Sequence, residues 1–427
     1  MGRFSLIRNG LLGGVVLAAN CFALIATGTA AVAAPVKHHA RSAAKAAPAK
    51  STHGKAAATH AKTSVKASTA HGRAKASAAP AIVRTRHGRV IAAASTRRIR
   101  YAERFTASSF SDDLVSGDVT VGEDPIVREA AIAALGNMNG TALAIDPASG
   151  RILAMVNQKL ALSSGAEPCS TIKLSVALAA LQEGIVKKDT PVALGGGYHL
   201  TLTEALAHSN NLYFETLGRS LGFERVKHYA NQLGLGELAG YHIAGEQLGA
   251  YPDQELPAAL GGVGRMCSFG ESVSMTPLQL GALVAAIANG GTLYYLQHPQ
   301  TDEEIAAFEP KVKRTLDIAA LIPEMQDGMQ AAVQYGTARS LRANFKEFPV
   351  MGKTGTCSNN GTRFGWFASF AETPNGRIVT VIFLEGGRPT FGPKAAELTG
   401  QFYRALWDKS YFQPKPAPSP GSPLGTQ

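Results

Sequence analysis

No acidic residue occurs before Glu103, although the same stretch carries Arg3, Arg8 and a run of lysines and arginines that ends at Arg100. A segment of one charge sign, composed mainly of Ala, Lys, His, Ser and Thr, cannot bury enough apolar surface to offset the entropy of ordering it. Residues 35–100 therefore read as a disordered basic tether, and any packed domain must be built from the residues beyond Arg100. The formal net charge of +11 over 427 residues conceals this division, because the chain beyond Arg100 is mildly acidic. With 45% hydrophobic residues, material for a sizeable core is present. Residues 1–34 read as a signal peptide or a membrane anchor: a basic start, an apolar run from Leu11 to Thr29 broken only by Asn20, and an Ala31-Val32-Ala33 cleavage site. Cys21 is discounted for lipid attachment because Asn20 stands where a small residue is wanted. The chain is thus expected to be exported, periplasmic or otherwise extracytoplasmic, free or anchored to the cytoplasmic membrane. Nucleic acid falls outside the expected partners. The tether predicts at most a weak, salt-sensitive attraction to anionic membrane or wall polymer.

Ordered structure is predicted from about Glu123, after a short lead-in at 101–137. Residues 141–156 alternate apolar positions on both sides of Asp146-Pro147-Ala148-Ser149-Gly150, the pattern of a β-hairpin. A helix follows Ser170. Residues 201–222 read as largely helical, with Thr201 or Thr203 as N-cap and Glu204 in the first turn. Thr276 caps another helix, with Pro277 at its first position and Asn289-Gly290-Gly291 as its stop. Residues 316–335 predict a further helix. Strands are expected at 349–356, 363–371 and 377–384, the last two joined at Pro374-Asn375-Gly376, and a closing helix at 394–407. Strands at both ends of a helical middle give an α+β domain. Its expected form is an antiparallel five-stranded sheet with helices on both faces and a helical subregion, spanning 138–410, with a Pro-rich disordered tail at 411–427.

Three short motifs stand in order on this frame: Ser170-Thr171-Ile172-Lys173, Ser209-Asn210-Asn211 and Lys353-Thr354-Gly355. Each alone is weak, since a serine three residues before a lysine arises by chance. Together, on a helix start, a loop in a helical region and a strand, they match the S-x-x-K, S-x-N and K-T-G set. The chain here resembles the transpeptidase domain of the penicillin-binding proteins, in the serine D,D-transpeptidase and β-lactamase-like superfamily. The likeness runs from Met138 to Trp407, taking in Leu143 to Val156, Ser268 to Gly291, Gly336 to Ala338 and Gly365 to Glu372.

The resemblance implies a D,D-transpeptidase that binds the D-Ala-D-Ala end of a peptidoglycan stem peptide and passes the acyl group to an amine on a neighbouring stem. β-Lactams would be covalent inhibitors. Ser170 would be the nucleophile and Lys173, one helical turn on, its base, which requires a neutral amine. Lys353 would be the second cation. Ser209 would relay the proton, and Asn211 would hold the substrate amide. The backbone amides of Ser170 and Thr356 would form the oxyanion hole, and Lys353, Thr354, Gly355 and Thr356 would receive the terminal carboxylate. No cofactor and no metal are expected. His208 adjoins Ser209 but should face elsewhere on a helix. Glu215 and Glu271 lie outside the E-x-x-L-N pattern of class A β-lactamases, so a β-lactamase ranks below the other readings. A D,D-carboxypeptidase and a non-turnover penicillin-binding sensor or scaffold remain open.

Departures from the family pattern are equally legible. Pro168-Cys169 stands where the family has Pro-Gly, the segment between hairpin and Ser170 is short, and the lead-in is too short for the usual non-catalytic pedestal. Cys169, Cys267 and Cys357 would remain after signal removal. If the amides of Ser170 and Thr356 converge on one oxyanion, Cys169 and Cys357 come near disulfide range and their bond would clamp the hole. Pairing of Cys267 with either one, or three unpaired core residues, remain open alternatives.

Overall fold

The computed structural model describes residues 104–413, together with two short strands, Val83–Arg84 and Val90–Ile91, which pair with each other within the unit of residues 1–96. The expected signal or anchor, most of the tether and the tail beyond Gln413 lie outside the described residues. The unit of residues 97–427 holds the remaining elements.

Five strands form one antiparallel sheet: β1 Gly140–Asp146, β2 Arg151–Val156, β3 Val350–Asn359, β4 Thr362–Thr373 and β5 Gly376–Gly386, in the order β2-β1-β5-β4-β3. Side chains alternate across it. Leu143 and Ile145 of β1, with Val379, Val381 and Phe383 of β5, join one apolar cluster, while Ala142, Ala144, Ile382 and Leu384 join the other. A sheet apolar on both faces must be covered on both. Helices around it include α1 Pro125–Leu135, α2 Lys173–Gln182, α3 Leu202–Ala207, α4 Asn211–Leu221, α5 Gly262–Phe269, α6 Pro277–Asn289, α7 Ile322–Gln334 and α8 Gly392–Asp408, of which α1, α6, α7 and α8 pack on its strands. α1 and α8 share the cluster of Ala142 and Ile382. α6 shares the cluster of Leu143 and Phe383 with α2 and α4, and is buried from Pro277 to Ala288 because the sheet lies on one side and helices on the other. Gly281 permits that approach: a Cβ there would lie 2.6 Å from Ile145 Cδ1. The α+β class and the five-stranded sheet are those expected. Among the described residues, no helix is long and apolar enough to cross a membrane.

Element limits differ from the sequence reading where turn chemistry intervenes. The stretch 201–222 is two helices, capped by Thr201 and by Asn210, with Ser209 between them at φ 54°. The helix expected at 316–335 begins only at Ile322, because residues 312–315 form a strand with 292–294 and Pro323 favours a helix start. α1, unforeseen, carries the same kind of signal as Thr276-Pro277: Asp124 accepts hydrogen bonds from Ile126 and Val127 nitrogens, and Pro125 follows. The lead-in is therefore part of the packed unit. So is the start of the assigned tail, since Phe412 is buried against Phe348.

The lead-in is fastened by charge. Arg128 of α1 pairs with Asp118 and Glu123, both at 2.8 Å, and the two carboxylate side chains are only 3% and 1% exposed. Glu123 also accepts from the Met155 nitrogen at 2.9 Å and meets His298 Nε2 at 3.1 Å, joining α1, β2 and the 298 loop. Removing one member of a buried pair leaves the other uncompensated. Arg128→Met is expected to cost about 3–5 kcal/mol in urea unfolding, whereas Arg219→Met, which breaks the exposed pair with Glu215, should shift the midpoint far less.

Candidate active site

Ser170 lies in a single 3-10 turn, Cys169–Ile172, and Lys173 opens α2. The turn closes on Pro168, whose carbonyl accepts from the Thr171 nitrogen at 3.1 Å and Thr171 Oγ1 at 2.7 Å. The spacing brings Lys173 Nζ to 2.9 Å from Ser170 Oγ. The break between α3 and α4 supplies the next partners. Ser209, in the left-handed region, presents its carbonyl at 2.9 Å and its Oγ at 3.0 Å to the same nitrogen, and Asn211 Oδ1 lies at 2.7 Å. Asn210 turns the other way and caps α4 through the Tyr213 nitrogen at 2.9 Å.

The third motif arrives on β3, the edge strand. Lys353 Nζ donates to Ser209 Oγ at 2.8 Å and to the Thr354 carbonyl at 2.9 Å. Thr354 Oγ1 donates to Thr337 Oγ1 at 2.8 Å, and the Gly392 nitrogen donates to Thr356 Oγ1 at 2.8 Å. Neither Thr337 nor Gly392 stands out in the sequence as a site residue, although Thr337 lies within the Gly336–Ala338 stretch of family likeness. Gly355 lets β3 meet the serine turn: a Cβ would sit 2.8 Å from the Pro168 carbonyl oxygen. Trp366, opposite Gly355 on β4, donates its Nε1 proton to the Glu167 carbonyl at 3.1 Å. A groove of about 930 Å³ continues along β3 past Thr356, bordered by Glu167, Arg265 and Glu271.

Both lysines are 0% exposed. Burial, and then the neighbouring Lys353, hold the Lys173 ammonium far below the ordinary lysine range, while burial brings Lys353 down to about 7. Neither has a carboxylate within ion-pair distance among the described residues. A neutral Lys173 has two N–H donors and one lone pair. The Ser209 carbonyl and Asn211 Oδ1 can take the two protons, leaving the lone pair to accept from Ser170. The constellation can therefore remove a proton from a serine hydroxyl and return it through a second one.

Cys169 and Cys357 form a disulfide with a Cα separation of 5.5 Å, and Cys267 is a buried free thiol. His208 is exposed and stands 3.3 Å from Glu204, away from the lysines. Glu215 pairs with Arg219 and Glu271 with Arg265. No carboxylate among the described residues hydrogen-bonds Ser170.

A family profile described as the penicillin binding protein transpeptidase domain matches residues 140–404. Stage V sporulation protein D of Bacillus subtilis is 28% identical over 62% of this chain and 48% of its own length. Peptidoglycan D,D-transpeptidase PbpA of Mycolicibacterium smegmatis is 26% identical over 72% of this chain and 74% of its own. The chain thus spans about half of the first relative. Among solved structures, a peptidoglycan glycosyltransferase from Burkholderia ambifaria superposes with TM-score 0.58 at 20% identity, covering 70% of this chain and 100% of that one. Pseudomonas aeruginosa PBP2 in complex with WCK 5153 gives TM-score 0.57 at 23% identity, covering 69% and 78%. At these identities the structures establish the fold.

The contact between β3 and the serine turn is testable without any substrate. Gly355→Ala forces a methyl against the Pro168 backbone and is expected to cost about 1–3 kcal/mol in denaturant unfolding. An unchanged midpoint would show that the two elements yield freely.

Proposed function

The chain belongs to the penicillin-binding protein transpeptidase domain family, and from that premise we propose that it is a serine D,D-transpeptidase acting on D-Ala-D-Ala stem peptides of peptidoglycan. The reading is carried by one observation: a buried lysine amine, with no carboxylate among the described residues within ion-pair distance, in contact with Ser170 Oγ, Ser209 Oγ and Asn211 Oδ1.

Neutral Lys173 accepts the Ser170 proton as Oγ attacks the penultimate D-alanine carbonyl carbon. Charge develops on the carbonyl oxygen, to which the Ser170 and Thr356 amides would donate. The C–N bond to the last D-alanine then breaks, and the proton travels from Lys173 through Ser209 to the leaving amine. Lys353 gains a proton-stabilising partner when the substrate's terminal carboxylate arrives, with Thr354, Gly355 and Thr356 completing that site. Asn211 holds both Lys173 and the substrate amide. An incoming amine reverses the path: it attacks the ester, loses its proton to the Lys173 and Ser209 relay, and frees Ser170. The groove past Thr356 leaves room for the stem peptide. No carboxylate among the described residues hydrogen-bonds Ser170, as a base serving water at its ester would, so a β-lactam acyl-enzyme is expected to persist. The work is done outside the cytoplasm, where a disulfide is stable and where residues 1–34 would deliver the chain.

Fluorescent penicillin should label the wild type stoichiometrically and the Ser170→Ala variant not at all; equal labelling of both would sink the assignment. A pentapeptide assay separates the alternatives, since D-alanine release without cross-linked product means carboxypeptidase, and acylation with neither product means a sensor. The pH dependence of acylation is set by the two lysines. Lys173 must be neutral, so the second-order rate constant rises through its lowered pKa; Lys353 must be charged to hold a carboxylate, so the rate falls above about pH 7. In Lys353→Arg the guanidinium stays charged and the falling limb should vanish from a slower enzyme.

A further inference from the structure

Cys169 is the residue that departs from the family's glycine, and the backbone shows why glycine suits the position: its φ is 51°, in the left-handed region. A non-glycine residue pays about 1–2 kcal/mol to stay there. The conformation matters because the peptide unit joining residues 169 and 170 carries the Ser170 N–H, so the backbone angles of Cys169 aim that donor. The other donor needs no such help. Thr356 lies inside β3, paired with Gly365 of β4, and the ladder continues through Cys357 opposite Phe364. The serine turn belongs to no sheet. Three features tie it to β3 and β4: the Trp366 hydrogen bond to Glu167, the close approach at Gly355, and the disulfide.

We propose that the Cys169–Cys357 disulfide is a positioning device for acyl transfer, holding Cys169 in the left-handed conformation that glycine would adopt unaided and so aiming the Ser170 amide at the oxyanion. The inference rests on the transpeptidase reading and adds a condition to it. Residues 169 and 357 immediately flank the two donors on their outer sides, and their Cα atoms are 5.5 Å apart. The bond therefore fixes the distance across which the oxyanion must sit. Once a dithiol reductant gives the disulfide two electrons and two protons, two separate thiols remain and the reductant becomes a cyclic disulfide. The Trp366 hydrogen bond and the close approach at Gly355 then remain, but neither acts on the backbone angles of Cys169, which relaxes toward negative φ and turns the amide away. Ground-state binding through Lys353 and Thr354 does not depend on that amide. The loss should fall on the acylation step and spare the affinity.

The experiment measures the acylation rate constant and the non-covalent Kd of a fluorescent penicillin, from labelling time courses at several concentrations. It uses the full chain as wild type, Cys357→Ser, and Cys169→Gly with Cys357→Ser, each with and without dithiothreitol. Cys357→Ser is expected to acylate about tenfold more slowly, less than the loss of a whole donor, with Kd within about twofold. The double variant should recover most of the rate, because glycine reaches the left-handed conformation without the bond and without a Cβ penalty. Dithiothreitol should slow the wild type to the Cys357→Ser rate and leave both variants unchanged. Wild-type acylation in Cys357→Ser, or no recovery in the double variant, overturns the proposal. If Cys357→Ser does not fold, reduced wild type with a retained unfolding transition decides in its place: unslowed acylation refutes the brace. If oxidised wild type fails to label at Ser170, the transpeptidase reading itself fails and this inference falls with it.

Discussion

Two lysine side chains, drawn out of water, meet at one serine hydroxyl. Lys173 and Lys353 both lie within 3.0 Å of Ser209 Oγ, and no carboxylate among the described residues lies within ion-pair distance of either. Two ammonium groups at that spacing in a buried site repel strongly, and desolvating each costs several kcal/mol. The site is tolerable only if at least one amine is neutral. That requirement is met at Lys173, where burial and the neighbouring Lys353 disfavour the ammonium, while the surrounding oxygens can still accept the two protons of a neutral amine and leave its lone pair for Ser170. What the fold favours at this point is thus a neutral amine, the protonation state that the proposed chemistry requires of Lys173.

The architecture reflects the need to bring three chain segments to that point. Lys173 must open a helix buried by its neighbours, and α2 is buried from Lys173 to Leu181. Ser209 must offer both its carbonyl and its hydroxyl to one nitrogen. A continuous helix would commit that carbonyl to its own ladder, so the chain breaks into α3 and α4 and places Ser209 at positive φ. Lys353 must come from a rigid element of separate origin, and β3 provides it as the free edge of the sheet. α6 fixes the distance between sheet and helices by packing on both, and the Trp366 ring, stacked on Phe383 at 3.8 Å, carries that rigidity to the Glu167 carbonyl.

Much of this was legible in the sequence because the relevant signals are local. The hairpin around Pro147, the Thr276-Pro277 helix start and the three closing strands each announce themselves by alternation, a cap or a turn residue. The motif residues emerge once their order is matched to the S-x-x-K, S-x-N and K-T-G set of the family that the chain resembles. What escaped was set by tertiary contact or by a signal diluted in its surroundings. Residues 201–222 read as largely helical because good helix formers flank the break; the loop at Ser209 and the Asn210 cap are a short local signal inside them, and the sequence does not show that the break also serves Lys173. Residues 316–321 have apolar spacing compatible with a helix, but Leu316 instead hydrogen-bonds the Gly291 carbonyl beyond the short strand pair. Thr337 and Gly392 act through single hydrogen bonds to Thr354 and Thr356, and a lone threonine or glycine far away in sequence gives no local sign of such a role.

The substitution of cysteine for glycine before the serine illustrates how one backbone requirement can be met in two ways. Glycine makes the left-handed conformation accessible by having no Cβ, which leaves the turn free to adopt others as well. A cysteine disfavours that conformation, and a covalent bond to a strand restores it while removing the alternatives. The second solution is stiffer. It also depends on an oxidising environment, and so ties the geometry at Ser170 to where the chain resides. The same bond links residues 188 apart in sequence, joining the helical region to the sheet at the place where the proposed chemistry needs both to be in register.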